Sequence, residues 1–414
     1  MKTSIFYTLF WVLYFPLCIA FYDTIPSLQY SDEILTLLLV LVTAFRFPSI
    51  KLRKTKKEIG IYIGLMAFYV VYSLLMAVNV SNSVWLDLQQ QVRPYAVLYC
   101  TWMIAPQFSK RQRNLIVNVM LLTYAFYLVA FFVAPDLVTP YGGTESAALG
   151  TLALVCAMTY YLFKPQTKRN LWICLFIMAT GLLGGKSKFF GEMLCFVAIF
   201  WYLKGRIQLG SMKTIVQFAA LTVVVLFFTW YKFNAYYVEG MSDEAERMAR
   251  PLSYKTAVTI VCHDYVPFGS GLGTFATNAA AEYYSPLYYK YDLSDIWGLD
   301  PENPMFLADA FYPTLAEYGL VGLFFFIAFW RRRLKAVLKL PDERFYKVGL
   351  MCILALALES TADTSYLSGK GMGYFMLLGM CLSSKDLWLK QQQKLQSLQE
   401  NKKPQTSLAT AVEA

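Results

Sequence analysis

The stretch NLIVNVMLLTYAFYLVAFFVA, residues 114–134, decides the fold class of this chain of 414 residues. It carries no charge, and its length lies within the roughly 17–25 residues that a helix needs to cross about 30 Å of hydrocarbon. In lipid, a segment must satisfy its own backbone hydrogen bonds, as a helix does. We therefore predict a transmembrane helix here.

Comparable apolar segments recur along almost the whole chain. The predicted spans are 4–22, 33–49, 59–79, 93–108, 114–134, 147–163, 170–185, 189–203, 213–232, 313–330, 346–359 and 371–384. Composition agrees, because 57% of the residues are hydrophobic and only 15% are charged, well below the roughly 25% typical of soluble domains. The sequence thus predicts an all-α, polytopic membrane protein with about 12 transmembrane helices.

These spans divide the chain into four parts. Residues 1–232 hold helices 1–9, and residues 233–312 form one large extracytoplasmic loop between helices 9 and 10. Residues 313–384 hold helices 10–12, and residues 385–414 form a cytoplasmic tail. The loop is long enough for a small helical subdomain but too short for a separate enzyme domain.

Lysine and arginine set the orientation, because loops rich in them stay cytoplasmic. Of the 37 basic residues, 28 fall in one alternating set of connections that includes both ends of the chain, which predicts cytoplasmic termini. The nine on the outer side are Arg93, Lys186, Lys188, Lys232, Arg247, Arg250, Lys255, Lys290 and Lys370. The topology rule does not explain these nine, so they are candidates for a functional role.

Other chemistries find little support in the sequence. The net charge of +10 lies in short clusters between apolar segments, with no basic domain that would bind nucleic acid. Only Cys262 of the eight cysteines falls in an aqueous loop, and His263 is the single histidine, so we predict no disulfide framework and no metal site.

Gly271, Gly273 and Ala276 have the spacing of a dinucleotide-binding fingerprint, but no strand precedes them. A tight turn after a helix is the preferred interpretation, and no cofactor is predicted.

Three stretches carry candidate chemistry. Residues 184–188, Gly-Gly-Lys-Ser-Lys, form a tight turn whose two lysines either hold an anion or snorkel toward the interface. In the loop, Arg250 is followed by Tyr254 and then by the glycine-rich run Pro267–Phe275. Residues 317–323 read Glu-x-Gly-x-x-Gly-Leu where the chain re-enters the membrane, and a carboxylate there is costly unless it is paired.

In this order and topology, the motifs resemble the signature region of the O-antigen ligase/polymerase family, and the resemblance covers the architecture of nearly the whole chain. It puts Lys188 where the family usually has arginine, and lysine keeps the charge but lacks the planar fork that grips phosphate. The histidine that ligase-type members carry before Glu-x-Gly would fall near Ala308, where this chain has none. Asp309 is the nearest titratable residue, an arrangement similar to that of polymerase-type members.

The resemblance implies a metal-independent glycosyltransferase of the bacterial cytoplasmic (inner) membrane that needs no cofactor. Such an enzyme moves a glycan from undecaprenyl pyrophosphate to a sugar hydroxyl on the outer face, and the loop would hold donor and acceptor. The implied partners are the undecaprenyl-pyrophosphate-linked glycan, membrane lipid, a flippase and a chain-length regulator, with no nucleic acid.

Roles for particular residues follow from this chemistry. Cations stabilise the negative charge that develops on the pyrophosphate leaving group, and a carboxylate takes the proton of the attacking hydroxyl. The candidate catalytic residues are the cations Arg250 and Lys188, with Asp309 as the first choice of base and Glu317 as the second. The candidate substrate-binding residues are Lys186, Arg93, Tyr254 and Lys255.

Three functions remain open from the sequence. The first is a polymerase that joins lipid-linked repeat units of O-antigen, capsule or exopolysaccharide, and the missing histidine favours it. The second is a ligase that passes finished glycan to lipid A core. The third is a polysaccharide flippase or transporter, which the gathering of outer charges at one rim and the absence of internal repeats disfavour.

Overall fold

The computed structural model describes residues 3–21, 30–49, 53–135, 146–203 and 248–400 continuously, with isolated residues between these ranges. In the described ranges the backbone forms helices, turns and irregular segments, and no strand. The predicted all-α class is therefore confirmed.

Fourteen α-helices follow one another in the described part of the chain. They are α1 Thr3–Tyr14, α2 Ser31–Arg46, α3 Arg53–Met76, α4 Ser81–Ile104, α5 Lys110–Val133, α6 Ala147–Phe163, α7 Lys168–Gly181, α8 Ser187–Val197, α9 Ala249–Thr259, α10 Asn278–Glu282, α11 Leu287–Lys290, α12 Gly319–Val337, α13 Glu343–Glu359 and α14 Gly369–Glu400. Short π-helical turns continue α1, α8 and α9, and a 3₁₀ segment, Tyr312–Glu317, precedes α12.

Most predicted spans coincide with one of these helices, but α4 begins twelve residues before its predicted start at 93. The early turns contain polar residues, so apolar segments alone do not indicate that the helix begins there. Asp87 is fully buried and accepts a hydrogen bond from the backbone of Gly273, and Gln91 donates to Asp87. The added turns are thus stabilised by a partner distant in sequence. The predicted span 213–232 and the first part of the loop lie largely outside the described residues.

Two helices are long and apolar enough to cross a membrane by length and composition, Thr55–Met76 and Lys110–Val133. Ser4–Ala20 and Ala148–Phe163 are apolar but shorter. Only 17% of the apolar window of the first helix and 33% of that of the second are buried in the protein. The prediction of about twelve membrane helices goes beyond this finding and stays a prediction.

The largest core lies around α6, whose residues 151–160 are all buried. Helices α5, α7, α13 and α14 pack against it. A second apolar cluster lies in the described part of the loop, where Phe275 stacks on Tyr288 with ring centres 5.4 Å apart. The loop therefore has a core of its own, which holds its side chains in fixed positions against the helices.

The glycine-rich run joins this loop to the helices. Gly269 and Gly273 have φ values of +84° and +70°, and a Cβ on Gly273 would lie 2.5 Å from the carbonyl oxygen of Ser83. Such backbone conformations and such close approach favour glycine. Asn79 donates to the carbonyl of Gly273 at 2.7 Å. The run is thus the predicted tight turn, and it packs on the connection between α3 and α4.

Candidate functional site

Helix α9 presents two of the predicted residues on one face, because Arg250 and Tyr254 are four positions apart. The Arg250 guanidinium donates from Nε to Asp309 Oδ2 at 2.5 Å and from Nη2 to Asp309 Oδ1 at 2.9 Å. Both side chains are about one-fifth exposed. The Tyr254 hydroxyl donates to the carbonyl oxygen of Thr361 at 3.0 Å. One helical face thus reaches both the end of the loop and the segment that follows α13.

Lys188 lies in the first turn of α8, directly after the tight turn at Gly185, whose φ is +70°. Its ammonium donates to Asp363 Oδ2 at 2.5 Å and lies 3.6 Å from Glu359 Oε2. The lysine side chain is only 10% exposed. A lysine that snorkelled to the interface would have its ammonium in water, so the paired and largely buried position favours a role in holding charge.

Residues 360–368 link α13 to α14, and we call them the α13–α14 connection. Its carbonyl at Ser360 accepts hydrogen bonds from the backbone of Phe311 at 3.1 Å and Tyr312 at 3.3 Å. The ring of Tyr366 stacks on Phe311 with centres 4.0 Å apart. The connection therefore packs directly against the end of the loop that carries Asp309.

Asp363 is the acidic centre of this connection. Its Oδ1 accepts hydrogen bonds from Ser365 N at 2.7 Å and Ser365 Oγ at 2.8 Å. Burial raises the pKa of Asp363, but the ammonium groups of Lys188 and Lys370 outweigh it and hold that pKa below its ordinary value. Asp363 is therefore ionised at neutral pH, with two cations acting on it.

Arg93 approaches the far end of the connection. It pairs with the buried Asp32 and, at 3.2 Å, with Glu33 at the start of α2. A Cβ on Gly369, the first residue of α14, would lie 3.3 Å from Asp32 Oδ2. The Arg93 pair therefore adjoins the residue before Lys370.

The structure thus brings together, around the α13–α14 connection and its junction with α14, four of the nine basic residues that the sequence predicts on the outer side. Lys188 pairs with Asp363 of the connection, Lys370 acts on the same aspartate, and Arg93 adjoins the end of the connection. Arg250 pairs with Asp309, two residues before Phe311, whose backbone donates to Ser360 of the connection. Cations held near carboxylates form a site where an anionic ligand competes with the carboxylates for the same donors. Such an arrangement suits reversible binding of phosphate oxygens.

The other predicted site residues lie nearby or elsewhere. Lys186 is the N-cap residue of α8, two positions before Lys188, and is partly buried. Lys255 is exposed on α9, next to Tyr254.

Glu317 is fully buried against the glycine-rich run. Its Oε1 accepts hydrogen bonds from Thr274 N at 2.7 Å, Phe275 N at 2.9 Å and Thr277 Oγ1 at 3.3 Å. Backbone donors that converge on one oxygen fix the shape of the turn. These contacts suit a positioning residue better than a proton acceptor, whereas Asp309 lies with Arg250 beside the connection.

Sequence reasoning missed Asp363 and Glu359, the two carboxylates nearest Lys188. A signal was present, because Thr361-Ala-Asp-Thr-Ser365 is a short polar stretch between two apolar segments on the predicted outer side. Glu359 is buried and accepts from Thr151 at 3.1 Å and from Tyr374 at 2.7 Å. In the part of the chain that the structure describes, no three or more His, Cys, Asp or Glu side chains are grouped to hold a metal ion.

The chain matches no known family model and no curated protein.

Proposed function

We propose that the protein is a polytopic glycosyltransferase of the bacterial cytoplasmic membrane that polymerises lipid-linked polysaccharide repeat units. It would transfer the growing glycan from undecaprenyl pyrophosphate to a sugar hydroxyl on the outer face. The observation that carries the proposal is that Lys188 and Lys370 act on Asp363 of one short connection and that the Arg250–Asp309 pair lies beside the same connection. All three belong to the basic residues that the topology rule does not explain.

The membrane part of the proposal rests on apolar surface. In α5, the side chains of Leu122, Phe132 and Val133 are 71%, 62% and 79% exposed. A soluble core helix would bury such residues, whereas lipid is an apolar solvent for them. The remaining helices complete a bundle of about twelve in this proposal, and shorter ones end where the polar site opens.

The cations would act on the leaving group. Breaking the bond between the sugar and the pyrophosphate leaves negative charge on phosphate oxygens, and fixed cations in a partly dehydrated site stabilise that charge. Arg250 offers a planar pair of donors that fits two oxygens of one phosphate. Lys188 supplies a compact charge to the other phosphate, and Lys186, Arg93 and Lys255 would contribute to binding the donor.

The same contacts suggest how the base becomes available. Both oxygens of Asp309 accept hydrogen bonds from Arg250, so this carboxylate is occupied. When a phosphate takes the donors of Arg250, Asp309 is released beside the reacting centre. It then accepts the proton of the acceptor hydroxyl as the new glycosidic bond forms and the pyrophosphate leaves. Donor binding would thus prepare the enzyme for the acceptor.

A ligase that uses lipid A core as the acceptor would share this chemistry. The polymerase is preferred because the position near Ala308 has no histidine and Asp309 is the titratable residue there.

The deciding experiment compares the surface glycan of cells with and without the protein. Loss of a polymerase leaves single repeat units attached to their acceptor, whereas loss of a ligase leaves none and accumulates lipid-linked polymer. Purified protein incubated with lipid-linked repeat units should then lengthen them without nucleotide sugar or metal. Movement of the lipid across vesicles without any lengthening would instead identify a flippase.

A further inference from the structure

A cleft of about 150 Å³ opens between α3, α4 and α12. At one end it reaches Phe311 and Tyr318, beside the end of the loop, and at the other end it reaches Glu58 and Arg333. Apolar and aromatic side chains line most of the path between them. From Gly322 to Arg333 the path follows eleven residues of α12, about 16 Å at the helical rise per residue. This matches half of the roughly 30 Å hydrocarbon core, the depth of one lipid leaflet.

Arg333 is an unusual residue to find in such a cleft, because its side chain is only 3% exposed. Its Nη2 donates to Glu58. Its Nε and Nη1 are buried and have no hydrogen-bond partner among the described residues. The guanidinium carbon lies 4.8 Å from the ring centre of Trp102 and 5.2 Å from that of Phe329. The rings hold the cation in place but leave two donors unused.

The charge at this end of the cleft is positive. Glu58 offsets one cation, while both Arg332 and Arg333 line the cleft. Buried donors of a guanidinium are costly unless an acceptor meets them, and charged acceptors form the strongest such bonds. Arg333 belongs to the basic connections that the sequence assigns to the cytoplasmic side, opposite the donor site. An anion at Arg333 therefore comes from the inner leaflet or the cytoplasm.

We propose that this cleft binds an anionic phospholipid of the inner leaflet. The phosphate oxygens accept hydrogen bonds from Nε and Nη1 of Arg333, with Arg332 adding charge, and one acyl chain lies along the cleft toward Phe311. The site lies beyond the proposed polymerase reaction. It requires the membrane placement but not the glycan chemistry, so its test and the polymerase test fail separately.

The test measures which lipid the purified protein retains. Protein in neutral detergent is exposed to equal amounts of phosphatidylglycerol and phosphatidylcholine with identical chains, and bound lipid is counted by native mass spectrometry. Both lipids carry a phosphate, but the choline ammonium of phosphatidylcholine cancels its charge and is repelled by Arg332 and Arg333. The wild type should therefore retain phosphatidylglycerol over phosphatidylcholine by roughly tenfold. Arg333→Gln should lose this preference. The matched control Arg331→Gln, on the same helix but exposed, should keep it.

A second variant tests the binding of the acyl chain rather than the binding of the phosphate. Ala328 lines the cleft, and Ala328→Trp should fill the path and reduce retention of phosphatidylglycerol while both arginines remain. This variant and the wild-type comparison decide the question even if Arg333→Gln does not fold. Equal retention of the two lipids by the wild type would overturn the proposal, as would equal effects at Arg331 and Arg333. Displacement of the lipid by millimolar inorganic phosphate would identify a site for a free anion instead.

Discussion

The ammonium of Lys188 lies 2.5 Å from Asp363 Oδ2, across 175 residues of sequence. Arg250 and Asp309 form a comparable pair across 59 residues. In both pairs a carboxylate accepts hydrogen bonds from the cation. In the proposed reaction a phosphate of the donor competes with the carboxylate for these hydrogen bonds, and a displaced carboxylate becomes available to the substrate.

The first prediction concerns Lys188. Lys188→Ala should reduce polymerisation by roughly 100-fold or more, because a fixed charge on the leaving group is lost. Lys188→Arg should retain much of the activity, since charge is the main requirement. The measurement is the rate of lengthening of lipid-linked repeat units by purified protein. Lys290→Ala, which removes an exposed lysine paired with Asp264 away from the connection, is the control. Normal turnover by well-folded Lys188→Ala would remove this lysine from the site.

Turnover should depend on the shape of the side chain at position 250 as well as on its charge. Arg250→Lys should lose most of the turnover and Arg250→Ala essentially all of it, because only the planar fork meets two phosphate oxygens at once. A lower kcat rather than a higher KM is expected if the contact strengthens as the leaving group charges. If Arg250→Lys were merely unstable while its surviving folded fraction turned over normally, the arginine would only be holding the loop through Asp309.

A substitution at Asp309 distinguishes a catalytic base from a residue that only holds Arg250 in place. Asp309→Asn keeps the size of the side chain and one acceptor oxygen for Arg250, but it cannot take a proton. If Asp309 is the base, turnover should fall by roughly 10²–10⁴-fold with little change in thermal stability. The pH dependence of the residual rate should also change. A variant that retains the wild-type rate would show that the proton is accepted elsewhere.

Stability should depend on pH through Asp363. Its native pKa lies below the ordinary value of 3.8, so its contribution is present above that value and is lost as the pH falls toward the native pKa. The wild type should therefore melt at a higher temperature than Asp363→Asn at neutral pH, and the difference should shrink below about pH 4. A difference that instead grew on acidification would contradict the assigned charge of Asp363.

Replacing Glu317 should lower the stability of the loop, rather than remove a group that takes part in the reaction. Glu317→Ala leaves the backbone donors of Thr274 and Phe275 without their acceptor, at a cost of about 1–3 kcal/mol for each buried group. We expect a lower melting temperature and faster proteolysis of the glycine-rich run. Glu302→Ala, which removes an exposed glutamate in the same loop, should leave both unchanged. If Glu317→Ala kept its stability but lost turnover, Glu317 would instead be a candidate for the catalytic base.

The orientation can be tested independently of activity. A reporter that is active only outside the cytoplasm should be active when fused after Pro286 and silent when fused after Arg333. The reverse pattern would overturn both the outer placement of the donor site and the inner placement of the lipid cleft.

The sequence alone determined the all-α class and most helix positions, because uninterrupted apolar segments of this length are typical of helices rather than of strands. It also selected Lys188 and Arg250 as candidates, since the order of segments predicts on which side of the membrane a basic residue lies. It failed at the start of α4, where Asp87 and Gln91 are polar and the helix is stabilised by contact with the distant Gly273.

Only the tertiary structure decided which residues meet. The pairing of Lys188 with Asp363 depends on how α8 packs against α13 and on the path of the connection between α13 and α14, and no local pattern encodes it. The same holds for Glu317, whose three hydrogen bonds join segments about 40 residues apart. Apolar periodicity is a local property of the chain, whereas the partner of a buried charge is chosen by packing between segments that are far apart in sequence.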